Sequence, residues 1–105
     1  MATQTFAYIW EYHVKESHLS AFIKGYGPKG DWEILFKKAD GYIATDLHQD
    51  LTNPTRFITI DHWRSKKDHD NFLSAYSIEY KHLDTQFEKC TEKESFMGDF
   101  LSFHG

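Results

Sequence analysis

Residues Phe6 to Val14 alternate. Phe6, Tyr8, Trp10 and Tyr12 fall on one side, and Ala7, Ile9, Glu11 and His13 on the other. A period of two is that of a strand, so a first strand is predicted here. The period then lengthens. Leu19, Phe22, Ile23 and Tyr26 recur at helical spacing, with Ser17 as a candidate N-cap. Gly27-Pro28-Lys29-Gly30 interrupts this helix, and Asp31 can cap a short second one carrying Ile34, Leu35 and Phe36. Gly41 suits the left-handed position past a helix end.

Tyr42 to Gln49 and Arg56 to Trp63 read as two further strands, joined through Asn53-Pro54 as a hairpin. Setting Leu47 opposite Ile58 puts Ile43, Thr45 and Leu47 on one face with Ile58, Ile60 and His62. The other face then collects Tyr42, Ala44, Asp46, His48, Phe57, Thr59, Asp61 and Trp63. Ser65-Lys66-Lys67-Asp68 resembles a capping box. Behind it Phe72, Tyr76, Tyr80, Leu83 and Phe87 form one helical stripe, which Ser77-Ile78 can break in two. Glu92 to Phe103 reads as a fourth strand. Alternation sets Phe96 and Phe100 on one face and Met97, Leu101 and Phe103 on the other, with Gly98 at a bulge or close approach.

Strand, helices, strand, strand, helix, strand is the order of an α+β, ferredoxin-like βαββαβ antiparallel sheet with its helices on one face. Those helices leave the second face bare. Because large apolar residues occupy both faces, another copy of the chain is the economical cover, and a homodimer is expected.

Composition narrows the field. The chain has 105 residues, with 12 basic and 16 acidic side chains and a net charge of −4. That length predicts one domain over residues 1–105. No apolar run approaches the roughly 20 residues of a membrane span, and a basic footprint for nucleic acid is missing. The start, Met1 to Thr5, has no secretory pattern, and a single cysteine, Cys90, fits a reducing compartment; a cytoplasmic location is expected. Three Trp, six Tyr and nine Phe make 17% of the chain, more large rings than a core of this size needs.

These features together resemble the antibiotic biosynthesis monooxygenase family of dimeric α/β-barrel proteins. The resemblance rests on Trp10-Glu11-Tyr12 ending strand one, Phe22 with Tyr26-Gly27, Gly30-x-Trp32 and Gly41-Tyr42. It continues through Trp63-x-Ser65, Phe72 and Tyr80, then Glu94, Gly98 and Phe100. It implies a homodimer whose sheets face each other and a pocket in each subunit for a small aromatic or polyketide-derived substrate. It also implies oxygenation without metal or flavin: the pocket helps an acidic phenol or hydroquinone lose a proton, and the electron-rich anion reacts with oxygen. Trp63 matches the strand-three tryptophan of the family. Haem-degrading members use an asparagine in strand one. Thr5 to Val14 has none, which counts against haem breakdown. The fold also hosts non-catalytic binding and stress-associated proteins and small lactone or enol isomerases, which remain alternatives.

Such chemistry needs an apolar slot, hydrogen-bond partners and a base. Trp63, His48 and Asp61 are the catalytic candidates, and Trp10, Tyr12 and Tyr42 the substrate-binding ones; the same rings can instead fill a core or interface. His13 and His62 fall on the more aliphatic faces. Seven histidines raise the question of a metal, but His62 with His69 and His13 with His18 match no ligand spacing. No nucleotide-binding fingerprint is present, so no metal and no cofactor are expected.

Overall fold

The computed structural model describes residues 3–104. Its elements are β1 (Thr3–Val14), a single 3-10 turn at Glu16–His18, α1 (Leu19–Tyr26), α2 (Asp31–Phe36), β2 (Tyr42–Gln49), β3 (Arg56–Trp63), α3 (Lys66–Ala75), α4 (Ser77–Glu88) and β4 (Thr91–His104). The strands form one antiparallel sheet in the order β2-β3-β1-β4, and the helices cover one face of it. This is the α+β ferredoxin-like arrangement expected from the order of periods.

Local chemistry accounts for most boundaries. The Ser65 hydroxyl accepts the Asp68 backbone N–H at 3.2 Å and donates to the Asp68 carboxylate at 3.1 Å, so Ser65 caps α3; the Asp68 carboxylate takes the hydroxyl rather than the Ser65 backbone N–H that a full capping box uses. Tyr76 leaves helical geometry and divides α3 from α4 one residue before the expected Ser77-Ile78, which instead open α4. Ser17 is not a cap: it lies inside the 3-10 turn, and α1 starts after His18 with no side-chain cap. Gly30 takes the N-cap position of α2 and Asp31 its first turn. Gly41, at φ +89°, lies well past the end of α2 and turns the chain into β2. Only glycine adopts that conformation without strain.

Register and bulges change which residues share a face. In the hairpin, Leu47 lies opposite Thr59, not Ile58. The register is one residue away from the expected one, and a one-residue slip exchanges the faces of a whole strand. Thr45 and Leu47 therefore face the helices, while Asp46 and His48 face outward. A bulge at Ile43 reverses the phase once more and returns Tyr42 to the helix side, opposite Trp63. In β4 the pairing moves from Gly98 opposite Ile9 to Phe96 opposite Trp10. That bulge, with Gly98 at φ +138°, separates Phe96 from Phe100: Phe96 and Leu101 face the helices and Phe100 faces outward.

The helix side of the sheet carries the core. Trp63, Phe22, Phe57, Phe72 and Cys90 are the largest fully buried side chains. Ring pairs such as Phe22–Tyr26 (4.2 Å between centroids) and Trp63–Phe72 (5.2 Å) tie sheet to helices. Burying each such ring contributes about 1.5–3 kcal/mol. The outer face shows Ile9, Ile58 and Ile60 half-buried, crossed by an ion pair from Arg56 to Glu11 and a hydrogen bond between His62 and Asp46. Among the described residues no helix is long and apolar enough to cross a membrane.

Candidate active site

Between sheet and helices the aromatic packing opens into a cavity of about 370 Å³, within the range that holds small-molecule ligands. Its floor is the sheet: Tyr8, Trp10 and Tyr12 from β1, Thr59 and Asp61 from β3, Thr45 from β2 and Glu94 from β4. Its roof is helical: Tyr26, Trp32, Phe36, His69, Tyr80 and Asp84. Strand alternation puts the three β1 rings side by side. A second, shallower groove between α2 and α4 carries Ile34 and Ile78 on its surface, but gathers no buried ionisable group. Chemistry therefore selects the first.

Asp61 is the ionisable group in its depth. It is only 8% exposed, and burial pushes its carboxyl up to about 7 against the 3.8 of an exposed one. Thr45 Oγ1 donates to Asp61 Oδ1 at 2.8 Å, which works in the opposite direction by favouring the carboxylate. With its proton committed to Asp61, the Thr45 hydroxyl accepts from the Tyr42 hydroxyl, also at 2.8 Å. Burial also raises the Tyr42 phenol, to about 12. Three groups thus form a hydrogen-bonded chain from the cavity to the half-buried Tyr42.

His69 closes the same volume from α3. Its ring lies 4.3 Å from that of Tyr8, and burial depresses its basicity against the weaker opposing pull of Asp70, 3.5 Å away. Glu94 is raised first by burial and then by the charge of Asp84. Burial holds the Tyr12, Tyr26 and Tyr80 phenols well above their usual range. The Trp32 Nε1–H is buried without a hydrogen-bond partner.

The six residues singled out in the sequence separate. Asp61, Trp10 and Tyr12 line the cavity. Tyr42 stands behind it, at the end of the hydrogen-bonded chain. Trp63 is fully enclosed between Phe36, Tyr42, His69 and Phe72 and is not part of the cavity wall. His48 is exposed on the outer face, because the register differs by one residue from the expected one. His69, Trp32, Tyr26, Tyr80 and Glu94 line the cavity unforeseen. For His69 a signal existed: it lies three residues before Phe72, so the α3–α4 stripe extends back to it. Among the described residues no group of three or more His, Cys, Asp or Glu side chains could hold a metal ion.

No curated protein matches the chain in sequence. Solved structures do match in fold. A Bordetella bronchiseptica protein named for antibiotic biosynthesis monooxygenases superposes with a TM-score of 0.71 at 16% identity, covering 98% of this chain and 97% of that one. A Shewanella oneidensis protein gives 0.69 at 13% identity, covering 98% and 95%. A Shewanella loihica protein named as a monooxygenase gives 0.60 at 19%, covering 97% and 94%. At these identities the likeness concerns the fold. Sequence itself carries the assignment: the family model described as "Antibiotic biosynthesis monooxygenase" matches residues 6–82, from β1 into α4, and the chain belongs to that family.

Proposed function

We propose that the protein is a cofactor-independent monooxygenase acting on a small aromatic or polyketide-derived molecule in the Asp61 cavity. The observation that carries this reading is a buried carboxyl, raised to about 7, in an aromatic-lined cavity of small-molecule size. A base is most useful when its pKa lies near the working pH. Asp61 takes the proton of a bound phenol. The phenolate carbon para to the oxygen then gives electrons to dioxygen and forms a hydroperoxide. Loss of water leaves a carbonyl there: one oxygen atom stays in the quinone, and the other departs as water with both substrate hydrogens. The substrate is the only reductant, so the atoms and electrons balance without a cofactor. Trp10 and Tyr12 offer flat faces for the ring, and the Thr45–Tyr42 chain offers Asp61 a route to pass its proton outward.

Oxygen uptake with a panel of hydroquinones and phenols tests this reading. Uptake that matches quinone formation one to one without release of hydrogen peroxide, and that disappears in Asp61→Asn, is expected. Substrate conversion that continues under argon would overturn it in favour of an isomerase. No conversion of any panel member would favour a binding protein.

We also propose that the subunit works as a homodimer, with the outer sheet face as the surface shared by two copies. Ile9, Ile58, Ile60 and the exposed Phe100 supply its apolar area. Sedimentation equilibrium should give twice 12.4 kDa; a single subunit at micromolar concentration would overturn it.

A further inference from the structure

Ionised groups around the cavity have one sign. Asp61 stands in its depth, while Asp84 from α4 and Glu94 from β4 reach it from exposed positions. Among the described residues no lysine or arginine lines it, and the one basic side chain there, His69, is buried and held toward the neutral form. Most of the remaining wall is aromatic, and ring faces are the negative poles of their quadrupoles. A cavity of this kind repels an anion and attracts a cation.

A second observation comes from Asp61 itself. Its Oδ1 accepts from Thr45, but among the described residues its Oδ2 has no hydrogen-bond partner. Unlike the Trp32 and Trp63 Nε1 atoms, Asp61 Oδ2 is not sealed from solvent; it opens onto the cavity, where a ligand donor can take the place of water. The cavity therefore asks for a donor at its depth and a positive charge toward its acidic, exposed side.

We propose that the cavity selects aromatic substrates that carry a protonated amine. The ring lies against Trp10 and Trp32, the phenolic O–H reaches Asp61 Oδ2, and the ammonium sits by Asp84 and Glu94. This deepens the oxygenase reading and rests on it for the step at Asp61, though the selectivity itself is a binding property. It also removes a difficulty in that reading. A phenolate formed in the cavity is repelled by the carboxylates of Asp84 and Glu94. Here the phenol's proton moves onto Asp61, so the total charge within the cavity does not change, and the ammonium offsets what develops on the ring.

The test compares three probes of one size: tyramine, neutral 4-ethylphenol and anionic 4-hydroxyphenylacetate. Trp10 and Trp32 line the cavity, so quenching of tryptophan fluorescence reports binding, with calorimetry as a check. Tyramine should bind at least about tenfold more tightly than 4-ethylphenol, and 4-hydroxyphenylacetate most weakly. Raising the salt concentration should weaken tyramine alone. The double variant Asp84→Asn with Glu94→Gln changes exposed positions, so the fold should survive. It should erase the advantage of tyramine and leave the affinity for 4-ethylphenol unchanged. Equal or tighter binding of the carboxylate, an advantage that survives the double variant, or no tyramine binding at millimolar concentration would each overturn the proposal. These probes carry their side chain on the para carbon and report binding only; amine preference without oxygen uptake by 3-(2-aminoethyl)phenol, whose para carbon bears hydrogen, would defeat the oxygenase reading alone. Oxygen uptake with neutral phenols and no amine preference would defeat this proposal alone.

Discussion

Asp61 and Trp63 stand two residues apart on one strand and face the same way, about 7 Å from each other along the sheet. Both are buried, at 8% and 0% exposure. Their surroundings differ in kind. Trp63 is enclosed by Phe36, Tyr42, His69 and Phe72, with ring centroids 5.2–5.9 Å away. Its unpartnered Nε1–H costs about 1–3 kcal/mol, which the burial of a large indole offsets. One pleat further on, the side chains no longer meet across the layer, and a carboxyl is held against an open volume with one hydroxyl as partner. Depth of burial is nearly the same for core and site. What separates them is whether the neighbours complete the residue's packing and hydrogen bonds or leave room for a ligand to do so.

The largest effect should come from Asp61→Asn. The amide keeps the shape and still accepts from Thr45, but it cannot take a proton. Turnover should fall about 10²–10⁴-fold. Stability should change the other way. The folded carboxyl titrates near 7 and the unfolded one near 3.8, so between those values the folded state binds more protons. Wild-type stability is then complete below about pH 4, declines as pH rises to about 7 and is level beyond. A three-unit shift corresponds to roughly 4 kcal/mol as an upper figure. Urea midpoints at pH 5 and pH 8 should show a drop of a few kcal/mol in the wild type that Asp61→Asn lacks. Parallel curves for the two proteins would mean that Asp61 does not titrate as described.

Trp63→Phe should show the opposite profile. Removing one ring from a filled site leaves a small void, and stability should fall by about 1–2 kcal/mol. For a chain of this size each kcal/mol moves Tm by about 4–8 °C. Affinity for a cavity ligand should stay within about twofold, because the indole does not border the cavity. A large loss of affinity at unchanged Tm would move Trp63 from the core to the site.

The same pair shows what the sequence made legible. Alternation along Phe6–Val14 and Arg56–Trp63 places the rings and Asp61 on one face, and that holds in the structure because strand parity is a local property. Register is not local. Pairing Leu47 with Ile58 groups His48 with Asp61, whereas the structure pairs Leu47 with Thr59. The extra residue at Ile43 also breaks parity within β2, and no glycine or proline there announces it. The bulge beside Gly98 separates Phe96 from Phe100 in the same way. Trp63 shares the face of Asp61 and closes β3 at the corner where α3 begins. Whether that corner is open depends on Phe36 and Phe72 arriving from two different helices, and no single segment encodes this. The cavity is created by the heights at which α2, α3 and α4 cross the sheet, so its roof residues could be read as helix stripe but not as cavity wall.

The smallest and most informative change is Thr45→Val. Valine has nearly the same shape but no hydroxyl, so the Tyr42–Thr45–Asp61 chain is cut in its middle. The hydrogen bond that Thr45 donates favours the Asp61 carboxylate against burial. Without it the apparent pKa in the rate profile should rise, by about one unit if the bond contributes the ~1.5 kcal/mol usual for a charged acceptor. Below pH 7 the variant should therefore be slower. Above about pH 9.5, where Asp61 is ionised in both proteins, the two rates should converge if Thr45 only tunes the carboxyl. If the chain also carries the proton away from Asp61, the upper plateau itself should be lower. Tyr42→Phe should shift the profile less than Thr45→Val, since the Tyr42 hydroxyl reaches Asp61 only through Thr45, and Thr45→Ser should restore the wild-type profile. A merely structural role would lower Tm in Thr45→Val and leave the pH profile where it was. That result would place the boundary between core and site one residue further into the cavity than the hydrogen bonds indicate.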